Sequence, residues 1–156
     1  MLEDIINFIP MTERLGTGGQ PSRQQFQDIQ NAGYEVVINL AMPDSDNAIP
    51  GEDDLVRGMG MDYIHLPVVW GAPDIQRLDA FFLAMKALKE HKVFVHCAKN
   101  MRVTAFYYLY QVLAEKIDEE EARMTMLQIW DPQDNPIWDE FIQEARKTYG
   151  YIWGRG

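Results

Sequence analysis

Three short apolar runs rich in β-branched residues punctuate the chain, at residues 34–41 (YEVVINLA), 62–69 (DYIHLPVV) and 92–97 (KVFVHC). Each reads as a strand, and the stretches between them read as helices. Residues 21–33 (PSRQQFQDIQNAG) begin with Pro21 and Ser22, which favour a helix start, and finish at Gly33, which favours its end. Residues 73–91 carry Ile75, Leu78, Phe81, Phe82, Met85 and Leu88 at helical spacing. Strand, helix, strand, helix is the order of an α/β fold, a short, mainly parallel sheet flanked by helices and joined by right-handed crossovers. Such continuous apolar strands suit a sheet covered on both faces. After Cys97 the pattern is helical over residues 102–115, 118–130 and 135–149, with Trp130 and Trp138 bracketing a proline-containing elbow. The acidic run 118–121 belongs in the first turn of its helix, where the dipole favours carboxylates. Phe106, Tyr107, Tyr108 and Tyr110 cover more than one face of one helix, which assigns most of them to the core.

A chain of 156 residues, 47% hydrophobic, buries one sizeable core, so residues 1–156 are expected to form one domain. A formal net charge of −10 argues against nucleic acid or an anionic membrane surface as partner, while a small anionic ligand needs only a local cluster of positive groups. One cysteine cannot form an intramolecular disulfide, and the opening residues MLEDIINFIP place acidic groups where a secretory signal carries basic ones. A cytoplasmic location is the expectation. No apolar run approaches the roughly 20 residues that span a bilayer.

The chemistry gathers in residues 92–106 (KVFVHCAKNMRVTAF). A helix N-terminus lowers the pKa of a thiol by aiming backbone N–H groups at the sulfur, and strand, Cys97, short loop, helix supplies that arrangement. The same N–H groups make a nest for a tetrahedral anion, formed by Ala98, Lys99, Asn100 and Met101, with Arg102 as a bidentate clamp. Against this stands a plainer account, in which Cys97 packs as a small hydrophobe at a strand end and Arg102 is a solvated helix residue.

His-Cys, a loop and an arginine resemble the phosphate-binding loop of the protein tyrosine and dual-specificity phosphatases, HC-x5-R followed by Ser or Thr. Residues 16–40 (GTGGQPSRQQFQDIQNAGYEVVINL) resemble the leading segment of a bacterial family of small phosphatase-like domains, some of them fused to a beta-lactamase-like hydrolase. The resemblance spans about residues 15–110. It implies a dual-specificity-phosphatase-like fold and a cysteine-dependent phosphatase acting through a cysteinyl-phosphate intermediate on a phosphorylated small molecule or phosphoprotein. It also implies His96 as the residue that orients the loop and Thr104 as the hydroxyl that supports the thiolate. Gln20 either faces the site, as its family counterpart does, or closes the turn before Pro21.

The chain departs from the phosphatase pattern in three ways. Cys97 to Arg102 is C-x4-R, a spacing that the bacterial family shares and that is similar to the loop of rhodanese-type sulfurtransferases. Asn100 stands where the loop glycine belongs, and Asn is the non-glycine residue that best tolerates positive φ. The general-acid position just after 62–69 holds Val69 and Trp70. The nearest carboxylate is Asp74, either a catalytic acid or only the N-cap of the helix that follows it. Asp44 and Asp46 are reserves on a loop long enough to act as a lid. Lys99 either lowers the thiol pKa or points to water. Such chemistry needs no cofactor, and the Cys and His count offers no metal site. Two other readings remain beside hydrolysis: a sulfurtransferase carrying a persulfide on Cys97, and a non-catalytic binder of phosphorylated ligands.

Overall fold

The computed structural model describes residues 1–153, so the last three residues of the expected 1–156 domain lie outside the described residues. The strands β1 (Ile9–Pro10), β2 (Leu15–Gly18), β3 (Val36–Asn39), β4 (Asp62–His65) and β5 (Val93–His96) form a sheet ordered β1-β2-β5-β3-β4. β2, β5, β3 and β4 run parallel, and only β1 is antiparallel to its neighbour. The helices are α1 (Arg23–Asn31), α2 (Glu52–Gly58), α3 (Ile75–Ala87), α4 (Met101–Leu113), α5 (Glu119–Leu127) and α6 (Pro136–Trp153). No helix among the described residues is long and apolar enough to cross a membrane.

Alternation along the strands divides the core in two. Val37 and Phe94 face one side, where they meet Phe26 and Ile29 of α1 and Val56 of α2. Val36, Ile38, Val93 and Val95 face the other, against α3, α4 and α6. α4 is buried almost all round, its aromatic residues included, because it lies between the sheet and the last two helices. The register aligns the C-terminal ends of four parallel strands, pairing His96 with Gly18 and Asn39, and Asn39 with His65. Ligands of open α/β sheets bind beyond these ends.

The strands are shorter than the apolar runs. Leu66 and Val68 still donate to Asn39 and Leu40, but Pro67 has no N–H and ends the ladder of β4. β4 is the sheet edge and only half-buried, so not every strand is covered on both faces. β2 leaves no apolar signature, because its residues Leu-Gly-Thr-Gly are nearly featureless; neighbours on both sides bury it completely. α2 arises inside the expected loop, three acidic residues in its first turn favouring the helix dipole. Helix starts follow the reading closely: Ser22 and Gln25 form a reciprocal capping box at α1, and Asp118 accepts from the amide of Glu121 at α5.

Gly19, just past β2, bridges to Lys99 in the loop after β5. A Cβ at Gly19 would sit 2.6 Å from the Ala98 carbonyl oxygen and 2.9 Å from the Ile6 Cβ. Backbone on one side leaves little room to yield. Gly19→Ala is therefore expected to cost about 1–3 kcal/mol in urea unfolding. Gly58→Ala, in a helix with nothing within 4 Å of the added carbon, should be neutral or stabilising.

Candidate active site

Cys97 follows the last residue of β5, and α4 begins four residues later at Met101. The sulfur-bearing residue is buried, 1% exposed. Its amide donates to the Gly18 carbonyl at 3.3 Å, fixing the loop to β2. Each of the next carbonyls is taken by a donor outside the loop. The Cys97 carbonyl accepts from His96 Nδ1 at 3.1 Å. That of Ala98 accepts from the Gln20 amide at 3.0 Å and from Asn47 Nδ2 at 3.1 Å. Lys99 O accepts from Asn7 Nδ2 at 3.0 Å. A trans peptide points its N–H opposite to its C=O, and none of the described peptides is cis. Turning these carbonyls outward therefore turns the following amides the other way. Among the described residues, the amides of Ala98 and Lys99 bond no protein acceptor. The first-turn amides of α4 join them, since Asn100 at the N-cap contributes no side-chain cap. The result is a run of unpartnered amides following Cys97, a nest of the kind that can receive an anion.

Asn100 makes this turn with φ of 66° in the left-handed region, as its place in the sequence requires. It is fully buried, and its Nδ2 donates to Asn7 O at 2.8 Å and Thr17 Oγ1 at 3.1 Å. A glycine would allow the turn; asparagine also ties it to the N-terminal segment and β2.

Arg102, one residue into α4, is 7% exposed rather than solvated, which removes the plainer account of that residue. Its Nη1 donates to Val68 O at 2.8 Å, and the guanidinium lies 6.0 Å from the Trp70 ring centroid. One donor of five is thereby used, leaving a fork whose position is set by the chain just after β4. Trp70 in turn packs on Trp130 and Trp138, centroids 5.3 and 5.4 Å away, and Trp138 Nε1 donates to Trp70 O at 2.9 Å.

Thr104 is not hydrogen-bonded to Cys97. A hydroxyl has one proton to give, and that of Thr104 lies against Asn100 O at 2.8 Å and Met101 O at 3.1 Å, while its oxygen accepts from Trp130 Nε1 at 3.1 Å. Asp74 caps α3, Oδ1 accepting from the Arg77 amide at 2.7 Å, and is not hydrogen-bonded to Cys97 or Arg102. Val69 and Trp70 are 46% and 37% exposed where the general acid was expected. Lys99 is exposed, as are Asp44 and Asp46. Met101 is half-buried at the head of α4. Gln20 is buried; its Nε2 donates to Pro21 O at 3.0 Å, the turn-closing bond, and also to Glu52 Oε1 at 2.6 Å.

Glu52 itself went unread, as did Asn7 and Asn47. The carboxylate of Glu52 is buried and accepts from Gln20, from the Tyr63 hydroxyl at 2.8 Å, and meets His96 Nε2 at 2.7 Å. Burial pushes its pKa up, but the bonds from His96, Gln20 and Tyr63 and the charge of His96 outweigh this and hold it below the ordinary carboxylate value. The only trace in the sequence is a Glu beginning a short acidic run after Gly51, indistinguishable from its solvated neighbours Asp53 and Asp54.

Residues 9–135 match the family described as DSP-PTPase phosphatase fused to NAD+ kinase. A DUF442 phosphatase-type protein from Shewanella putrefaciens CN-32 superposes with a TM-score of 0.84 at 36% identity, covering 95% of this chain and 96% of that one. A kinase-associated phosphatase, crystallised with serine replacing its catalytic-site cysteine, superposes at 0.78 over 95% and 98% of the two chains, and at 15% identity shows the fold alone. The beta-lactamase hydrolase-like protein of Xylella fastidiosa is 29% identical over 119 residues, or 74% of this chain, and the match covers only 27% of that protein.

Asn100 separates two demands on the nest. Asn100→Gly keeps the left-handed turn and loses the side-chain ties, whereas Asn100→Ala loses both. Both variants should bind phosphate more weakly by calorimetry, and the alanine variant should be less stable than the glycine one by about 1–2 kcal/mol.

Proposed function

This chain belongs to the family of DSP-PTPase phosphatase domains described as fused to NAD+ kinase, and on that premise we propose that it hydrolyses phosphate monoesters through Cys97. The single observation that carries the reading is the nest, whose amides are turned inward beside a buried cysteine because donors outside the loop hold its carbonyls. In this reading the substrate's phosphoryl group seats on the amides of Ala98, Lys99 and Met101, and the free donors of Arg102 take two of its oxygens. The Cys97 thiolate attacks phosphorus, the S–P bond forms as the ester P–O bond breaks, and the leaving oxygen takes a proton. Water then attacks the cysteinyl phosphate, releasing inorganic phosphate and restoring the thiolate.

The proton donor is the weak part of the site. Asp74 remains the candidate, its Oδ1 committed to the cap of α3 and its other carboxylate oxygen without a protein partner among the described residues. A site with a poor acid cleaves acidic leaving groups and struggles with basic ones. Thr104 has no part in this scheme, because its proton is engaged in the first turn of α4. Substrates are phosphorylated small molecules or phosphoproteins, and a C-x4-R loop alone does not choose between them.

Purified protein should release phosphate slowly from p-nitrophenyl phosphate, and Cys97→Ser should abolish this. Arg102→Ala should weaken vanadate binding by roughly 10²-fold. Asp74→Asn preserves the cap, since Asn caps as well as Asp, so a loss confined to alkyl phosphates would assign the acid. Equal rates in that variant on both ester classes would leave Asp74 as a cap alone. Cys97-dependent thiocyanate from thiosulfate and cyanide, without Cys97-dependent phosphate release, would replace hydrolysis with sulfur transfer. Oxyanion binding with neither activity would make the protein a binder.

A further inference from the structure

His96 is fully buried, and its two ring nitrogens face different partners. Nδ1 meets the Cys97 carbonyl at 3.1 Å, which can only accept, so this nitrogen carries a proton. Nε2 meets Glu52 Oε2 at 2.7 Å. Three facts bear on where the proton between them sits. Gln20 Nε2 already donates to Glu52 Oε1. The Tyr63 hydroxyl donates to Oε2, and its own oxygen accepts from Asn39 Nδ2 at 3.0 Å, so its proton is committed to Glu52. Burial, reinforced by Glu52, keeps the Tyr63 pKa high, so it remains a donor. A carboxylate receiving three donors is the better-satisfied form, and it leaves His96 protonated on both nitrogens.

We propose that Glu52 is a positioning residue for the Cys97 nucleophile: its buried carboxylate holds His96 as an imidazolium, which fixes the Cys97 carbonyl and favours the thiolate. The polarity of the pair is what matters. Nδ1 bonds the backbone carbonyl of Cys97 and Nε2 bonds Glu52, so the positive end of the ion pair lies against the Cys97 peptide and the negative end lies beyond the ring. The groups around the pair are few. Tyr63 comes from β4, with Arg57 of α2 5.7 Å from its ring centroid and Asp53 3.7 Å from Arg57. α1 contributes only the edge of Phe26, 5.9 Å from the imidazole centroid. The inference rests on the reading of Cys97 as a nucleophile.

Because the chain has one cysteine, absorbance at 240 nm titrates its thiolate directly, with Cys97→Ser as blank. In wild type the inflection should lie well below about 8.5, the free-thiol value. Glu52→Gln should raise it by about one unit, and His96→Asn, which retains a donor for the Cys97 carbonyl without the charge, should do likewise. Adding Glu52→Gln to His96→Asn should move it no further. Independently, ¹⁵N spectra of the histidine-labelled wild type, assigned with His96→Asn, should show both His96 nitrogens protonated at pH 7. A depressed inflection that Glu52→Gln leaves in place, or equal shifts by Glu52→Gln with and without His96, would overturn the inference and spare the nucleophile. A wild-type inflection near 8.5 would overturn the nucleophile reading itself. If Glu52→Gln does not fold, the spectra decide: a neutral imidazole at pH 7 ends the proposal.

Discussion

Everything at the candidate site depends on which way the peptide units of residues 97–100 face. An unsupported four-residue passage from strand to helix has many conformations, and fixing each residue costs about 1–2 kcal/mol. Here that cost is offset by bonds from distant parts of the chain: Asn7 from the N-terminal segment, Gly18 and Gln20 at the end of β2, and Asn47 from the loop before α2. The nest is a product of tertiary structure, imposed on a short motif from outside. The C-terminal alignment of β2, β5 and β3 is what lets those donors reach it.

The parallel α/β fold was legible because β3 and β5 are continuous apolar runs, while α1 and α3 lie between them with clear start signals and apolar residues at helical spacing. The loop geometry at Cys97, Asn100 and Arg102 was legible for another reason: they lie close together in sequence, between a strand end and a helix start. The parts that escaped are those with no local signal. β2 has two glycines in four residues and is a strand only because β1 and β5 flank it. Glu52 looks like any residue of an acidic helix start, and only folding brings it 2.7 Å from His96, 44 residues away. Thr104 shows the converse. The motif gave it a role, but a helical hydroxyl bonds the carbonyl four residues back more readily than a neighbour across the loop.

The two flanks of the site are built from different physics. On the α1 and α2 side Gln20, Asn39, Glu52, Tyr63 and His96 form a largely buried hydrogen-bonded network, tied outward to the backbone at Pro21, Ala41 and Cys97. Such networks specify one arrangement, because a half-satisfied version is worse than none. The opposite flank is aromatic, with Trp70, Trp130 and Trp138 in mutual contact and Arg102 beside them. Trp138, fully buried in α6, holds the backbone of Trp70, so the C-terminal helix supports a segment next to the guanidinium.

That aromatic flank has an optical meaning. Three of the four tryptophans of the chain stand within 6 Å of one another, centroid to centroid. Excitation of any one is shared among them, and Trp70, whose ring centroid is 6.0 Å from the Arg102 guanidinium, senses the charge there. The protein thus carries its own emission reporter beside Arg102. Under the proposed function, an oxyanion settling on Arg102 would change the field across an indole, and the intrinsic fluorescence would register its arrival without any label.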